Sequence, residues 1–183
     1  MTQPLAGLAV VDAATDRAGS IAGMLLADLG ATVTRVFTSD RGARPHPTEL
    51  PDAVCWDRGK SAVEVSSLDP GDDVALADLL AAADVLLVDG SPVEFDESPL
   101  PDALTGHFGR LVTVWAPPHG AVGDQYRELP HDPLLQAAIT AFALNQPAID
   151  PTAAIAPVVN IIDAIQGSLA ASAAVAGALE ASR

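Results

Sequence analysis

The feature that most constrains the fold is a strand, turn, helix and second strand that follow one another within residues 5–37. The apolar run LAVV at residues 8–11 ends at Asp12, and a second run, ATVTRVF, follows Gly30. A β-α-β unit joins parallel strands, and parallel sheets bind ligands at the carboxyl ends of their strands. Function is therefore expected near the turn after Asp12. Between the strands, apolar residues recur at helical spacing, at Ile21, Met24, Leu25 and Leu29.

The rest of the chain continues this alternation of strands and helices. Further strands are predicted at residues 61–65, 85–88 and 111–115. Further helices are predicted at about 69–83, 132–144 and 161–180, with Asp69 as N-cap and Pro70 in the first turn of the earliest. We therefore predict one α/β domain over residues 1–183, a Rossmann-like, mostly parallel sheet with helices on both faces.

Two common nucleotide sites are excluded by the turn after the first strand. Gly19 and Gly23 are its only glycines, so the three-glycine spacing that admits a pyrophosphate is absent. A P-loop sequence is absent as well.

The charge distribution restricts the partners. A net charge of −15 disfavours nucleic acid and anionic membranes, whose binding requires many basic side chains. Residues 69–102 contain ten acidic residues and no basic one, which is typical of a solvated acidic face, with a docking surface as the alternative. Five of the nine basic residues lie within 26 positions, where a polyanion would have to bind: Arg35, Arg41, Arg44, Arg58 and Lys60.

Cysteine content and hydropathy give expectations about location. Cys55 is the only cysteine, so no intrachain disulfide can form, and without a basic-plus-apolar leader a cytoplasmic location is predicted. No run is expected to be long enough to span a bilayer. The closest, residues 161–179, is mostly alanine with Asp163 and Gln166 inside it, and it is predicted to be a buried helix. No metal site is predicted, because the histidines lack ligand spacing.

Four sequence blocks resemble one known family. Residues 4–37 follow the pattern P-L-x-G-x-x-V-x-D, A-G-P, L-A-D-L-G-A-x-V-x-x-V-E, with Ser20 in place of the proline and Phe37 in place of the acidic residue. DRGKS at 57–61, ADVLL at 83–87 and PVVNIIDAIQG at 157–167 follow in the same order. Together they resemble the amino-terminal half of the family III CoA-transferases of CaiB/BaiF type, which include formyl-CoA transferase and α-methylacyl-CoA racemase. Family members continue into a smaller domain and a returning segment, neither of which is matched here.

The resemblance implies a catalytic aspartate at Asp163. In the family, this carboxylate attacks an acyl-CoA thioester to form a mixed anhydride, the CoA thiolate then takes the aspartyl carbonyl, and a second carboxylic acid is loaded. Acyl-CoA and a small carboxylic acid are thus the implied substrates, with no tightly bound cofactor. From its position alone, an aspartate at a helix start is commonly a cap worth about 1 kcal/mol.

A second candidate is His131, which precedes Asp132 at a predicted helix start. The racemases of the family carry a histidine and an aspartate there, and their histidine works with the catalytic aspartate to remove and return the α-proton of an acyl-CoA. A histidine near its ordinary pKa is a competent base at neutral pH. The alternative is a solvated loop histidine before a helix cap.

For CoA itself, the resemblance favours Arg41, Arg58 and Lys60 near the phosphates or the adenine. Other family contacts are missing: Leu68 stands where a basic residue often holds the nucleotide, and DGSP at 89–92 replaces the loop E-N-F-x-P-G. These departures favour the rival hypothesis of a noncatalytic binding or scaffold protein. A half-length relative should also expose apolar surface, so we expect a homo-oligomer or a complementary second subunit.

Overall fold

A computed structural model describes residues 3–38, 55–90, 108, 110–120, 129, 132–140 and 161–183. Its strands are β1 (Ala9–Asp12), β2 (Thr32–Phe37), β3 (Ser61–Glu64), β4 (Val85–Asp89) and β5 (Val112–Ala116). Its helices are α1 (Arg17–Asp28), α2 (Val74–Ala82), α3 (Pro133–Ile139) and α4 (Ile161–Ala181).

The five strands form one parallel sheet in the order β3-β2-β1-β4-β5. This confirms the predicted α/β class. The chain runs outward from β1 to β3 and then returns to place β4 on the other side of β1. The change of direction makes the carboxyl ends of β1 and β4 the switch point of the sheet, where such folds bind ligands.

Alternating side chains of the strands build a core on each face of the sheet. Val10 and Leu87 join the core beneath α1 and α4, whereas Val11 and Leu86 join the core beneath α2. The central strands β1 and β4 are therefore covered on both sides, which is why they read as continuous apolar runs rather than as alternating ones. The prediction of helices on both faces is confirmed.

The start of α2 differs from the sequence prediction. Asp69 was expected to cap the helix, but its Oδ1 accepts the backbone N–H of Gly71 at 2.8 Å and forms a local turn. Asp73 is the N-cap instead, and its Oδ1 accepts the N–H of Leu76 at 2.9 Å. Both aspartates suit a cap, and the helix begins at the second because Asp69 is engaged in the preceding turn.

Helix α4 is buried on one side only, which corrects the expectation of a buried helix. Gly167 and Ala174 face α1 and the sheet. By length and composition alone, α4 could cross a membrane, which differs from the sequence expectation. In this structure it packs against α1 and β5. Its other side exposes large apolar residues: Ile161, Ile165, Leu169 and Leu179.

Candidate functional site

Two carboxylates hold the turn between β1 and α1, at the switch point. Asp12 ends β1, and its Oδ1 accepts the N–H of Ala14 at 3.1 Å. Asp89 ends β4 and reaches across to the same turn, where it accepts the N–H of Thr15 at 2.7 Å and the N–H of Asp16 at 2.6 Å. The neighbouring strand thereby fixes the approach to α1.

Asp89 is a functional candidate that the sequence prediction did not include. Burial and the nearby charge of Asp16 raise the pKa of Asp89 to about 6. In the sequence this residue stands out only as the start of the DGSP segment that replaces a family loop; in the structure its carboxylate anchors the turn. The available signal was its position directly after an apolar strand, where the carboxyl ends of parallel strands converge.

Asp163 lies in the first turn of α4, and its side chain is 1% exposed. Its Oδ2 is 3.6 Å from Nη1 of Arg17, the first residue of α1. Backbone N–H groups at helix starts and an adjacent guanidinium both stabilise negative charge. Because α1 begins just beyond the end of β1, this pair lies at the carboxyl edge of the sheet.

Arg17 is a second residue that the sequence prediction did not include. Its side chain is 36% exposed, so it lies between the buried Asp163 and the solvent. It directly precedes the Ala18-Gly19 dipeptide of the family pattern, and this was the available signal. The arrangement can present a carboxylate beside a cation at the end of the sheet.

Two glutamines tie the loop after β5 to the start of α4. Nε2 of Gln136 in α3 and Nε2 of Gln166 in α4 each donate to the carbonyl oxygen of Pro118 at 2.9 Å. Gln136 is 1% exposed. Three elements therefore converge near Asp163 at the carboxyl edge.

Lys60 has a different environment from the exposed position expected of a phosphate ligand. Its side chain is 1% exposed, and its ammonium donates to Asp12 Oδ2 at 2.6 Å, Asp57 Oδ1 at 3.0 Å and the carbonyl of Ser20 at 2.9 Å. In this conformation the ammonium faces carboxylates and a carbonyl inside the protein.

Of the two predicted CoA contacts that the structure describes, Arg58 is the accessible one. Its guanidinium is 50% exposed, pairs with Asp28 at the end of α1 at 2.5 Å, and donates to the carbonyl of Cys55 at 3.0 Å. An exposed pair of this kind is held weakly. Arg41, the third predicted CoA contact, and His131, the predicted catalytic base, lie outside the described residues.

Two observations concern other possible sites. Within the described part of the chain, no group of three or more His, Cys, Asp or Glu residues is placed to hold a metal ion. A groove of about 490 Å³ lies at the opposite, amino edge of the sheet, between residues 4–8, the end of α2 and the end of α4. It is on the far side of the sheet from Asp163 and carries none of the predicted site residues.

Solved structures share this fold over nearly the whole chain. A hypothetical protein of Mycobacterium tuberculosis matches with a TM-score of 0.81 and 26% identity over 100% of this chain and 52% of its own length. An aspartate-to-alanine variant of that protein matches with a TM-score of 0.79 and 25% identity, over 100% of this chain and 51% of its own. A CaiB/BaiF family protein of Brucella suis matches with a TM-score of 0.81 and 20% identity, over 100% of this chain and 51% of its own.

The sequence matches the model of CoA-transferase family III over residues 5–183. The chain belongs to CoA-transferase family III. It spans about half the length of the solved structures it matches. No curated protein matches the sequence significantly.

Proposed function

We propose that this chain handles acyl-CoA thioesters, with Asp163 as the nucleophile that moves CoA between small carboxylic acids. One observation carries the proposal: the carboxylate of Asp163 lies 3.6 Å from the guanidinium of Arg17, where two helix starts meet at the carboxyl edge of a parallel sheet. Family membership over residues 5–183 supports the same substrate class.

The reaction proceeds by two acyl exchanges on one carboxylate. An oxygen of Asp163 attacks the thioester carbonyl, the C–S bond breaks, and CoA leaves as a thiolate with an acyl aspartyl anhydride behind it. The thiolate then attacks the aspartyl carbonyl and releases the first carboxylate, which leaves an aspartyl-CoA thioester. An incoming carboxylate attacks this thioester, and the same two steps in reverse give the new acyl-CoA and free Asp163. Arg17 keeps the carboxylate in place beside the thioester and stabilises the oxyanion that develops at the attacked carbonyl.

Burial of the nucleophile fits an anhydride intermediate, because water would hydrolyse it. At 1% exposure, Asp163 meets a thioester only after the side chains that cover it move. Arg17, at 36% exposure, is the solvent-facing neighbour, so a path from the solvent to the carboxylate runs beside it. We therefore propose that acyl-CoA enters past Arg17.

The nucleotide end of CoA requires cations near this edge. Arg58 is half exposed and held by one exposed pair, so it is able to turn toward a phosphate. Arg41 belongs to the same basic segment and stays a predicted contact. Lys60 has its ammonium inside the protein, and we assign it another role below.

We further propose that the active form has a protein partner, either a second copy or a complementary subunit, and that it is cytoplasmic. The relatives of known structure have about as many residues again beyond the matched half. The exposed apolar side of α4, with Ile165 53% and Leu169 65% exposed, is the surface that such a partner would cover.

A second function, a noncatalytic CoA-transferase-like binding or scaffold protein, has one specific observation in its favour. The side chains of Asp163 and Lys60 are each 1% exposed, so neither meets a ligand without rearrangement. In this alternative the fold and the ion pairs persist while the CoA contacts have been lost. The racemase-like role of His131 stays a prediction.

The experiment that separates these functions is covalent trapping. The full chain is incubated with acetyl-CoA or succinyl-CoA, treated with hydroxylamine, digested and analysed by mass spectrometry. We expect a hydroxamate at Asp163 that disappears in Asp163→Asn and persists in Asp73→Asn, a matched change at a helix cap on the other face of the sheet. No adduct together with no CoA binding would leave the scaffold function.

Two further outcomes have distinct meanings. Adducts that form only after addition of a second protein would support the complementary subunit. Exchange of the α-hydrogen of an acyl-CoA for deuterium, abolished by His131→Ala, would support the racemase-like reaction and contradict the transferase.

A further inference from the structure

Lys60 is the centre of a buried cluster of four charges beneath the start of α1. Its ammonium pairs with Asp12 and Asp57, and Asp57 also pairs with Arg35. All four side chains are 7% exposed or less. Two cations and two carboxylates leave the cluster neutral, so it has no surplus positive charge to attract a phosphate.

The cluster needs a gap in α1, and Gly23 provides it. A Cβ at Gly23 would lie 2.8 Å from Asp12 Oδ2 and 3.0 Å from Lys60 Nζ, closer than side chains tolerate. The lysine therefore passes against bare helix backbone. This close approach lets its ammonium reach the carbonyl of Ser20 at 2.9 Å.

Ser20 connects this cluster to the first turn of α1. Its side chain is fully buried, and both its N–H and its hydroxyl contact the carbonyl of Asp16 at 3.2 Å. Lys60 thus holds the first turn of α1, the turn that begins with Arg17. It does so from the side of the helix that faces β3. On the opposite side, α4 packs against the same turn, with Gly167 beside Ala18.

We propose that Lys60 is a positioning residue: its bond to the Ser20 carbonyl fixes the start of α1, and thereby the placement of Arg17 beside Asp163. This inference rests on the proposed function. It assigns Lys60 an effect on the acylation of Asp163 and none on the binding of CoA.

The test compares two variants that differ in this bond. Asp12→Asn removes one carboxylate and keeps the lysine on Ser20, whereas the double variant Asp12→Asn/Lys60→Met removes one charge of each sign and loses the bond. The double variant keeps the cluster neutral, whereas Asp12→Asn leaves one excess buried positive charge and is expected to be the less stable of the two. Leu80→Val, in the core beneath α2, serves as a control for general loss of stability.

Three measurements are made on the full chain, at a temperature where all variants are folded. They are the rate of Asp163 acylation by acetyl-CoA, the dissociation constant of CoA, and amide hydrogen exchange in α1. We expect acylation to fall on the order of 10- to 100-fold in the double variant relative to Asp12→Asn, because small misplacements near a reacting group have effects of this size. CoA affinity should stay within about twofold, and exchange in the first turns of α1 should rise about tenfold.

The remaining outcomes each overturn a defined statement. Weakened CoA binding with unchanged acylation would make Lys60 a ligand contact and overturn the proposal. Unchanged amide exchange in α1 of the double variant would overturn the proposal, whether or not the chain is an enzyme. An equal fall in acylation in Leu80→Val would also overturn it, because the effect would then reflect a general loss of stability. If the unaltered chain forms no adduct, the proposed function fails, and the exchange measurement alone decides whether Lys60 holds α1.

Discussion

Gly167 of α4 lies directly against Ile21 of α1: a Cβ at position 167 would be 2.8 Å from the Cβ of Ile21 and 2.7 Å from the carbonyl oxygen of Ala18. The two helices are in contact at backbone distance one turn after Asp163. The same contact that packs α1 against α4 therefore fixes where the carboxylate stands.

Gly167→Ala should separate the two helices. Alanine favours a helix by about 1 kcal/mol over glycine, but overlap with a backbone oxygen forces the helices apart. We expect a net loss of about 1–3 kcal/mol in the free energy of unfolding and slower acylation of Asp163. Urea unfolding measures the first, and trapping measures the second. Ser172→Ala, exposed on the same helix, should change neither, and equal stability of Gly167→Ala and the unaltered chain would contradict the packing argument.

Arg17→Met should slow acylation of Asp163 because it removes the cation 3.6 Å from the carboxylate. We expect a loss on the order of 10- to 100-fold in the acylation rate, by analogy with removal of one electrostatic contact to a reacting group. Arg17→Lys, which keeps a charge, should retain part of the rate. Single-turnover trapping with acetyl-CoA makes the comparison, and a rate equal to that of the unaltered chain in both variants would remove Arg17 from the mechanism.

The carboxyl group of Asp89 should make the protein less stable as the pH rises from about 4 to about 7. Burial and Asp16 raise the pKa of Asp89 to about 6, so between the unfolded value of about 3.9 and 6 the folded state binds more protons than the unfolded state. The contribution of Asp89 to the free energy of unfolding is greatest at low pH and falls by up to about 3 kcal/mol as the pH rises through 6. Urea unfolding at several pH values measures this slope. Asp89→Asn should flatten it, whereas Asp78→Asn, exposed on α2, should leave it unchanged.

Asp73 should contribute in the opposite direction at lower pH. Hydrogen bonds from the backbone of Leu76 and from Ser66 lower the pKa of Asp73 to about 2. Its stabilising contribution is therefore complete above about 4 and is lost as the pH falls toward 2. Asp73→Asn should reduce the dependence of the unfolding midpoint on pH below 4. An unchanged acid limb in that variant would contradict the assignment.

The sheet and its helices could be predicted because their signal is local. The run before Asp12 and the helical spacing that ends at Gly30 are set by neighbouring residues, and burial on both faces gives β1 and β4 their continuous apolar runs. The start of α2 could not be placed, because Asp69 and Asp73 are both good caps. Two contacts outside the helix distinguish them: Asp69 accepts the N–H of Gly71 in the preceding turn, and Asp73 accepts the hydroxyl of Ser66.

The candidate site was predicted only where a motif marked it. The family pattern indicated Asp163, but the pairing with Arg17 joins residues 146 positions apart and depends on how α1 packs against α4. Lys60 illustrates the opposite limit. Its basic segment suggested a phosphate ligand, whereas the carboxylates of Asp12 and Asp57 enclose it. Charge in the sequence gives the number of cations and not the direction in which they point.

The exposed side of α4 gives a final prediction about association. Ile165 and Leu169 are 53% and 65% exposed and lie one turn apart, on the side of α4 away from the sheet. If a second copy covers this side, Ile165→Ser/Leu169→Ser should shift the sedimentation coefficient of the chain toward that of a monomer and leave its unfolding midpoint at low concentration nearly unchanged. Val74→Ser, which removes an apolar side chain that is 77% exposed on α2, is the matched control and should not alter association. Monomeric sedimentation of the unaltered chain at all concentrations would exclude a second copy and leave the complementary subunit, whose binding the same double variant should abolish.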